Sequence, residues 1–338
     1  MTSYKNNILQ IYEQDLPWEK LSGANILVTG ATGLIGGCLV ETLMMNPNLD
    51  YNVYAFGRNE ERARTRFKDI ANDMAFHFVK YDVMQPLQSD IRFDYIIHAA
   101  SNASPNFFTQ KPVEVIKSNI DGVANLMEYG LAHGMKRFLY VSSGEVYGEG
   151  DGRVFKEDYS GYVNPTSSRS CYPSSKRAAE TLCVSYEAEY GADVVIARPC
   201  HTYGPHFTEQ DNRVYAQFIR NVLRGEDIVM KSTGEQFRSW CYVVDCVSAL
   251  LHILLKGESG EAYNIADADS NISIRELAET IAAIGGRKVV IDLPDVDEKR
   301  GFNPVTKSIF STDKLESLGW KPKNHISTGM NNTIKELV

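Results

Sequence analysis

At 338 residues, with 43% hydrophobic and 23% charged side chains, the chain has room for one large α/β domain and a smaller second one, and its composition excludes coiled coil and extensive disorder. A formal net charge of -8 provides no basic excess for a nucleic-acid backbone, although a local basic pocket is compatible with it. Six scattered cysteines without a CxxC pair read as reduced thiols, and no apolar run approaches the roughly 20 residues of a bilayer span. Residues 1–13 lack a signal peptide's basic and apolar segments, so a cytoplasmic protein away from membranes is expected.

Residues 3–20 read as an amphipathic lead-in with Ile8, Leu9, Ile11 and Leu16 as core contacts. Strands are then predicted at 25–29, 51–56, 76–81, 94–98, 137–142 and 193–198, and helices at 34–45, 60–72, 113–133 and 174–190. Such alternation implies a mostly parallel sheet covered on both faces, whose ligands collect at the carboxyl ends of its strands. Beyond Pro199 the pattern is less regular: helices are predicted at 215–224 and 244–255, helical spacing over 272–284, and a short helix at 312–318.

The first strand runs into TGATGLIG at 29–36. Gly30 would allow the tight turn, Gly33 the approach of a pyrophosphate, and Gly36 close packing of helix on strand, with the helix N-terminus supplying N–H groups to the anion. The cofactor site predicted around this turn also takes in Thr32, Leu34 and Ile35, then Asp82 and Val83 after the third strand, Ala99, Ala100 and Ser101 after the fourth, and Pro199. At the end of the second strand, an acidic residue would bind the ribose of NAD. Arg58 stands there instead and could pair with the 2′-phosphate of NADP, so NAD and NADP both remain open.

Tyr172 and Lys176 stand four residues apart at the start of a predicted helix and share one face. A lysine ammonium near the phenol favours the phenolate, which can take a proton from a substrate hydroxyl as hydride leaves the same carbon. Ser143, after the fifth strand, could hydrogen-bond the reacting oxygen.

With HAAS at 98–101, VSSGEVYG at 141–148, YPSSK at 172–176 and RPCHTYGP at 198–205, these motifs give the chain a resemblance, over residues 24–335, to the extended short-chain dehydrogenase/reductase superfamily and its nucleotide-sugar epimerases, dehydratases and decarboxylases. The stretches 157–183 and 101–108 resemble its UDP-glucuronate decarboxylase branch. The resemblance implies an α/β fold with a Rossmann-like doubly wound parallel sheet over 1–199, behind an N-terminal extension. A smaller α/β substrate-binding domain would occupy 200–338, with 244–255 able to pack back on the first. It also implies a tightly bound NAD or NADP that oxidises C4 of a UDP-linked sugar and later returns hydride, and a homodimer through helices 113–133 and 174–190.

On the substrate side, the resemblance points to Ser104, Ser143, Gly144, Glu145, Arg169, His201, Arg213, Arg238 and Arg300. Glu145 matches a glutamate of decarboxylases and dehydratases that handles a C5 proton. Gly144 replaces the aspartic acid of 4,6-dehydratases, which disfavours dehydration, and also the serine usual in decarboxylases. His201 replaces a common asparagine. The first reading is decarboxylation of UDP-glucuronate to UDP-xylose. The alternatives are a UDP-sugar or UDP-uronate 4-epimerase, another C3/C5 epimerase or dehydratase, and a non-catalytic NAD(P)-binding regulator. No histidine spacing points to a metal.

Overall fold

The computed structural model describes residues 2–48, 50–208, 211–293 and 307–338. Its first half is built from α1 (Ser3–Leu9), β1 (Asn25–Thr29), α2 (Leu34–Met44), β2 (Asn52–Gly57), α3 (Glu60–Arg66), β3 (Phe76–Lys80), β4 (Tyr95–His98), α4 (Pro105–Gln110), α5 (Pro112–Ala132), β5 (Arg137–Val141), α6 (Cys171–Tyr190) and β6 (Val194–Pro199). Ile26, Leu27 and Val28 of β1 are all fully buried, as suits a central strand covered on both faces.

The second half adds β7 (His201–Tyr203), α7 (Val214–Leu223), β8 (Ile228–Met230), β9 (Phe237–Tyr242), α8 (Val243–Lys256), β10 (Ala262–Ile265), β11 (Asp267–Ser273), α9 (Ile274–Gly285), β12 (Val289–Ile291), β13 (Lys307–Ser308), α10 (Asp313–Glu316) and α11 (Ile326–Leu337). The large sheet has seven strands in the order β10-β6-β5-β4-β1-β2-β3, every neighbouring pair parallel. The order reverses between β1 and β4, the switch point whose carboxyl-end crevice binds the ligands of doubly wound sheets. This is a Rossmann-like α/β fold with a smaller C-terminal subdomain, in which β11, β9 and β13 form a sheet joined by β7. Although late in sequence, α8 packs on β5 and β6, and β10 closes one edge of the large sheet.

Three predicted boundaries move for identifiable reasons. The helix expected over 60–72 stops at Arg66, after which Phe67 turns into the core. The helical spacing over 272–284 covers a junction: Ile272 pairs with Arg238 at the end of β11, and Ser273 opens α9 through a capping box with Glu276. Helix α6 starts three residues before the expected 174, because Pro173 falls in its first turn, where no N–H is needed. Of the lead-in residues, Ile8, Ile11 and Leu16 are buried as expected, while Leu9 is only half-buried and Tyr4 takes its place in the core.

Candidate active site

The glycine turn joins β1 to α2. Gly30 has φ +66, and a Cβ there would lie 2.6 Å from the Ala99 carbonyl oxygen. A Cβ on Gly36 would strike the Gly30 carbonyl itself. Gly33 caps α2 without a side-chain acceptor, so the first N–H groups, from Leu34 onward, are left for an anion. These features fit a dinucleotide pyrophosphate. Gly36→Ala is expected to cost about 1–3 kcal/mol of stability and to lower the amount of nucleotide that copurifies, as read by melting and by extraction of the bound cofactor.

Around the turn, Thr29 Oγ1 meets His98 Nδ1 at 2.8 Å and accepts from the Ala100 N–H at 3.2 Å. Thr32 packs its methyl against Gly57. Asp82 accepts from the Met84 N–H, and the Val83 carbonyl accepts from Asn125. Pro199 is buried at the end of β6. Arg58 stands at the predicted place after β2, half-exposed, and donates to Glu114 at 3.1 Å and to Asn102 at 3.3 Å.

Helix α6 carries Tyr172, 5% exposed, and Lys176, 1% exposed. Ser143 and Ser101 favour the ionised form of the Tyr172 hydroxyl by hydrogen bonding, and Glu145 and Arg213 act on it through charge. Three segments distant in sequence thus converge on one phenol. Lys176 Nζ donates to the Val141 carbonyl at 2.9 Å and lies 4.7 Å from the Tyr140 ring centre and 5.8 Å from that of Tyr172.

The expected lowering of the tyrosine by its lysine is not what this environment produces. Burial pushes Tyr172 up to about 12, against the help of Ser143, and burial pulls Lys176 down to about 7. Desolvation is the largest influence on both: it outweighs the hydrogen bonds of Ser143 and Ser101 at Tyr172 and the charge of Glu180 at Lys176. For Lys176 the sign for stability follows: between about pH 7 and its ordinary 10.5 the unfolded chain holds the proton more tightly than the folded one. Lys176→Met should therefore melt above the parent, by the widest margin below pH 7, with the margin closing as pH rises towards 10.5. Melting curves at acidic and alkaline pH check this.

Glu145 opens the short turn Gly144–Tyr147 after β5, with its N–H capped by Ser143 Oγ at 3.2 Å. Its carboxylate takes both terminal nitrogens of Arg169 at 3.2 Å. The Arg169 guanidinium lies 4.6 Å from the Phe108 ring centre, and Phe108 stacks on Tyr172 at 4.7 Å and 23°. Gly144 is covered by Phe310, whose ring fills the place of any Cβ there.

The remaining predicted residues stand on other elements: Ser104 and Arg213 at the starts of α4 and α7, His201 on β7 and Arg238 on β9. Arg213 is held by Asp211 and Tyr215, Arg238 is buried and donates to the Phe237 carbonyl, and Ser104 donates to Asn212. His201, exposed at its surface, packs near Trp240, and desolvation together with Arg238 and Arg213 pulls its imidazolium below the ordinary histidine value. Arg300 lies outside the described residues. Away from the cleft, Asp267, Asp269 and His325 bring three possible metal-ligand atoms within 4.8 Å of one another, but Asp267 already serves Ser270 and His325.

Residues 26–266 match the model of a family described as the NAD dependent epimerase/dehydratase family. The chain belongs to that family. It is 37% identical over 317 residues to UDP-glucuronic acid decarboxylase 6 of Arabidopsis thaliana, covering 91% of this chain and 87% of the relative. UDP-glucuronic acid decarboxylase 1 of Danio rerio is 33% identical, covering 92% and 72%. Among solved structures, the UDP-glucose 4-epimerase of Thermotoga maritima superposes with a TM-score of 0.78 at 26% identity, covering 93% of this chain and 98% of that one. The dTDP-glucose 4,6-dehydratase DesIV of Streptomyces venezuelae reaches 0.80 at 24%, covering 92% and 96%, a likeness of fold.

In this member of the epimerase/dehydratase family, two supports of the site escape sequence reasoning. Arg66 donates to the Gly33 carbonyl at 2.6 Å while its other nitrogens bind Glu41 at 3.0 and 3.1 Å, which braces the glycine turn from below. Its place in a run of charged residues read as a solvated helix face. Asn119 links Ser101 at 2.8 Å to Ser175 at 2.9 Å, tying the loop after β4 to α6. Only its full burial sets it apart.

Proposed function

We propose that this NAD(P)-dependent nucleotide-sugar enzyme decarboxylates UDP-glucuronate to UDP-xylose through transient oxidation at C4. The observation that carries the reading is Glu145 within electrostatic reach of Tyr172, a proton carrier beside the redox tyrosine, in a chain whose relatives bear the decarboxylase name. In its phenolate form, which hydrogen bonds from Ser143 and Ser101 favour, Tyr172 takes the proton of the C4 hydroxyl while Ser143 hydrogen-bonds the same oxygen, and Lys176 lies on the same face of α6. When bound across Gly30, Gly33 and Gly36, the nicotinamide cofactor supplies the acceptor and donor of hydride at C4. A ketone at C4 makes the C6 carboxylate a β-keto acid. The C5–C6 bond then breaks, its electron pair enters an enolate, and carbon dioxide leaves. Glu145 delivers a proton to C5, and Tyr172 returns its proton to the C4 oxygen.

Arg213, Arg238, His201 and, by family register, Arg300 serve the nucleoside diphosphate, whose oxygens suit guanidinium forks. Pairing of α5 and α6 with their counterparts in a homodimer belongs to the same reading. Arg58, held by Glu114 and Asn102, leaves the choice between NAD and NADP with the identity of the extracted nucleotide. One feature favours 4-epimerisation instead: Gly144 offers the sugar no side chain, and Phe310 closes the space. The product formed from UDP-glucuronate separates the two. Release of carbon dioxide and a lighter nucleotide sugar supports decarboxylation, whereas a product of unchanged mass supports epimerisation.

A further inference from the structure

We propose that Arg169 is a movable carboxylate reader, which exchanges Glu145 for the C6 carboxylate of a uronate sugar and so determines acidic-sugar specificity. The inference rests on the decarboxylase reading for the identity of the substrate, and on the cleft for its geometry. An acidic sugar beside Tyr172 brings a second negative charge next to Glu145, so a cation has to stand between them. Position 144 cannot provide a contact, because Phe310 occupies the space of any side chain there. Arg213 is engaged by Asp211 through two of its nitrogens and donates also to Tyr215, and Arg238 is buried on β9, between β11 and β13.

Arg169 differs from both. Its side chain is 46% exposed and its ion-pair partner is Glu145, itself 42% exposed. An exposed pair of this kind holds weakly and exchanges readily for a competing carboxylate. The guanidinium also rests on Phe108, whose ring stacks on that of Tyr172. Stacking keeps the fork's plane fixed relative to the redox tyrosine while its N–H groups change partner, and a planar fork suits a carboxylate in a way an ammonium does not. When the fork turns to the substrate, the Glu145 oxygens are left free for the proton that has to reach C5.

The test measures binding of UDP-glucuronate and of its neutral counterpart UDP-glucose by calorimetry, in a cofactor-loaded Tyr172→Phe background so that neither ligand is consumed. Adding Arg169→Gln should reduce the preference for UDP-glucuronate over UDP-glucose roughly tenfold or more, with UDP-glucose affinity nearly unchanged. Arg169→Lys, which keeps the charge and loses the fork, should fall between. An unchanged preference in Arg169→Gln, including an equal loss for both ligands, overturns the proposal. The product of the parent enzyme is scored separately. Decarboxylation with an Arg169-independent preference removes this inference alone, and an Arg169-dependent preference without decarboxylation removes the reaction assignment alone.

Discussion

Replacing Tyr172 by phenylalanine should lower turnover by about 10²–10⁴-fold while leaving the fold intact. The hydroxyl is the group on which Ser143, Ser101, Glu145 and Arg213 converge. The ring, by contrast, is a packing element: it is buried and stacked on Phe108, and phenylalanine preserves both features. Burial holds the tyrosine up at about 12, so removing its oxygen relieves a poorly solvated group and leaves the melting temperature close to the parent's. The loss should therefore appear in the rate and not in substrate affinity, because Arg213 and Arg238, proposed to hold the diphosphate, are untouched. Single-turnover absorbance of the reduced nicotinamide, compared with melting and nucleotide-sugar binding, checks the separation. Near-normal turnover would remove Tyr172 from C4 chemistry.

Glu145→Gln should leave oxidation at C4 in place and stop the sequence after it. The carboxylate accepts from Arg169, and it is the Glu145 N–H, not the carboxylate, that meets Ser143 in the local turn. Glutamine keeps the size of the side chain and can still accept a hydrogen bond from Arg169, but it cannot carry a proton to C5. Overall turnover is expected to fall by about 10²–10⁴-fold, with reduced cofactor and a keto sugar accumulating in place of the final product. Measurement of the reduced nicotinamide at steady state, with trapping of the ketone, distinguishes this outcome from a general loss of binding. Full turnover in Glu145→Gln would mean that another group or water supplies the proton.

The parts of this site that were legible in the sequence are those encoded by local spacing. Apolar residues before Gly30, glycines three apart and a following helix specify one strand-turn-helix unit, because each glycine answers a steric demand of its immediate neighbours. The four-residue interval between Tyr172 and Lys176 likewise needs only helix geometry to put both on one face. What was not legible depends on partners far along the chain. Phe310 closes Gly144, and Arg66 braces Gly33 from another βα unit. Ile272 joins β11 because Arg238 is available to pair with it, although its own apolar spacing continues that of α9. The lowering of Tyr172 expected from its lysine is reversed for the same reason, and the lowering of Lys176 was not legible: spacing reveals the pair, whereas the desolvation that dominates both groups comes from the whole surrounding fold.

The reaction turns on the fate of C5 between the two hydride transfers, and turnover of UDP-glucuronate in deuterated water reads that fate directly. Decarboxylation with Glu145 as the proton carrier predicts release of carbon dioxide and a UDP-pentose bearing a solvent-derived deuteron at C5. UDP-galacturonate of unchanged carbon count, with no deuterium at C5, would contradict it and identify a 4-epimerase.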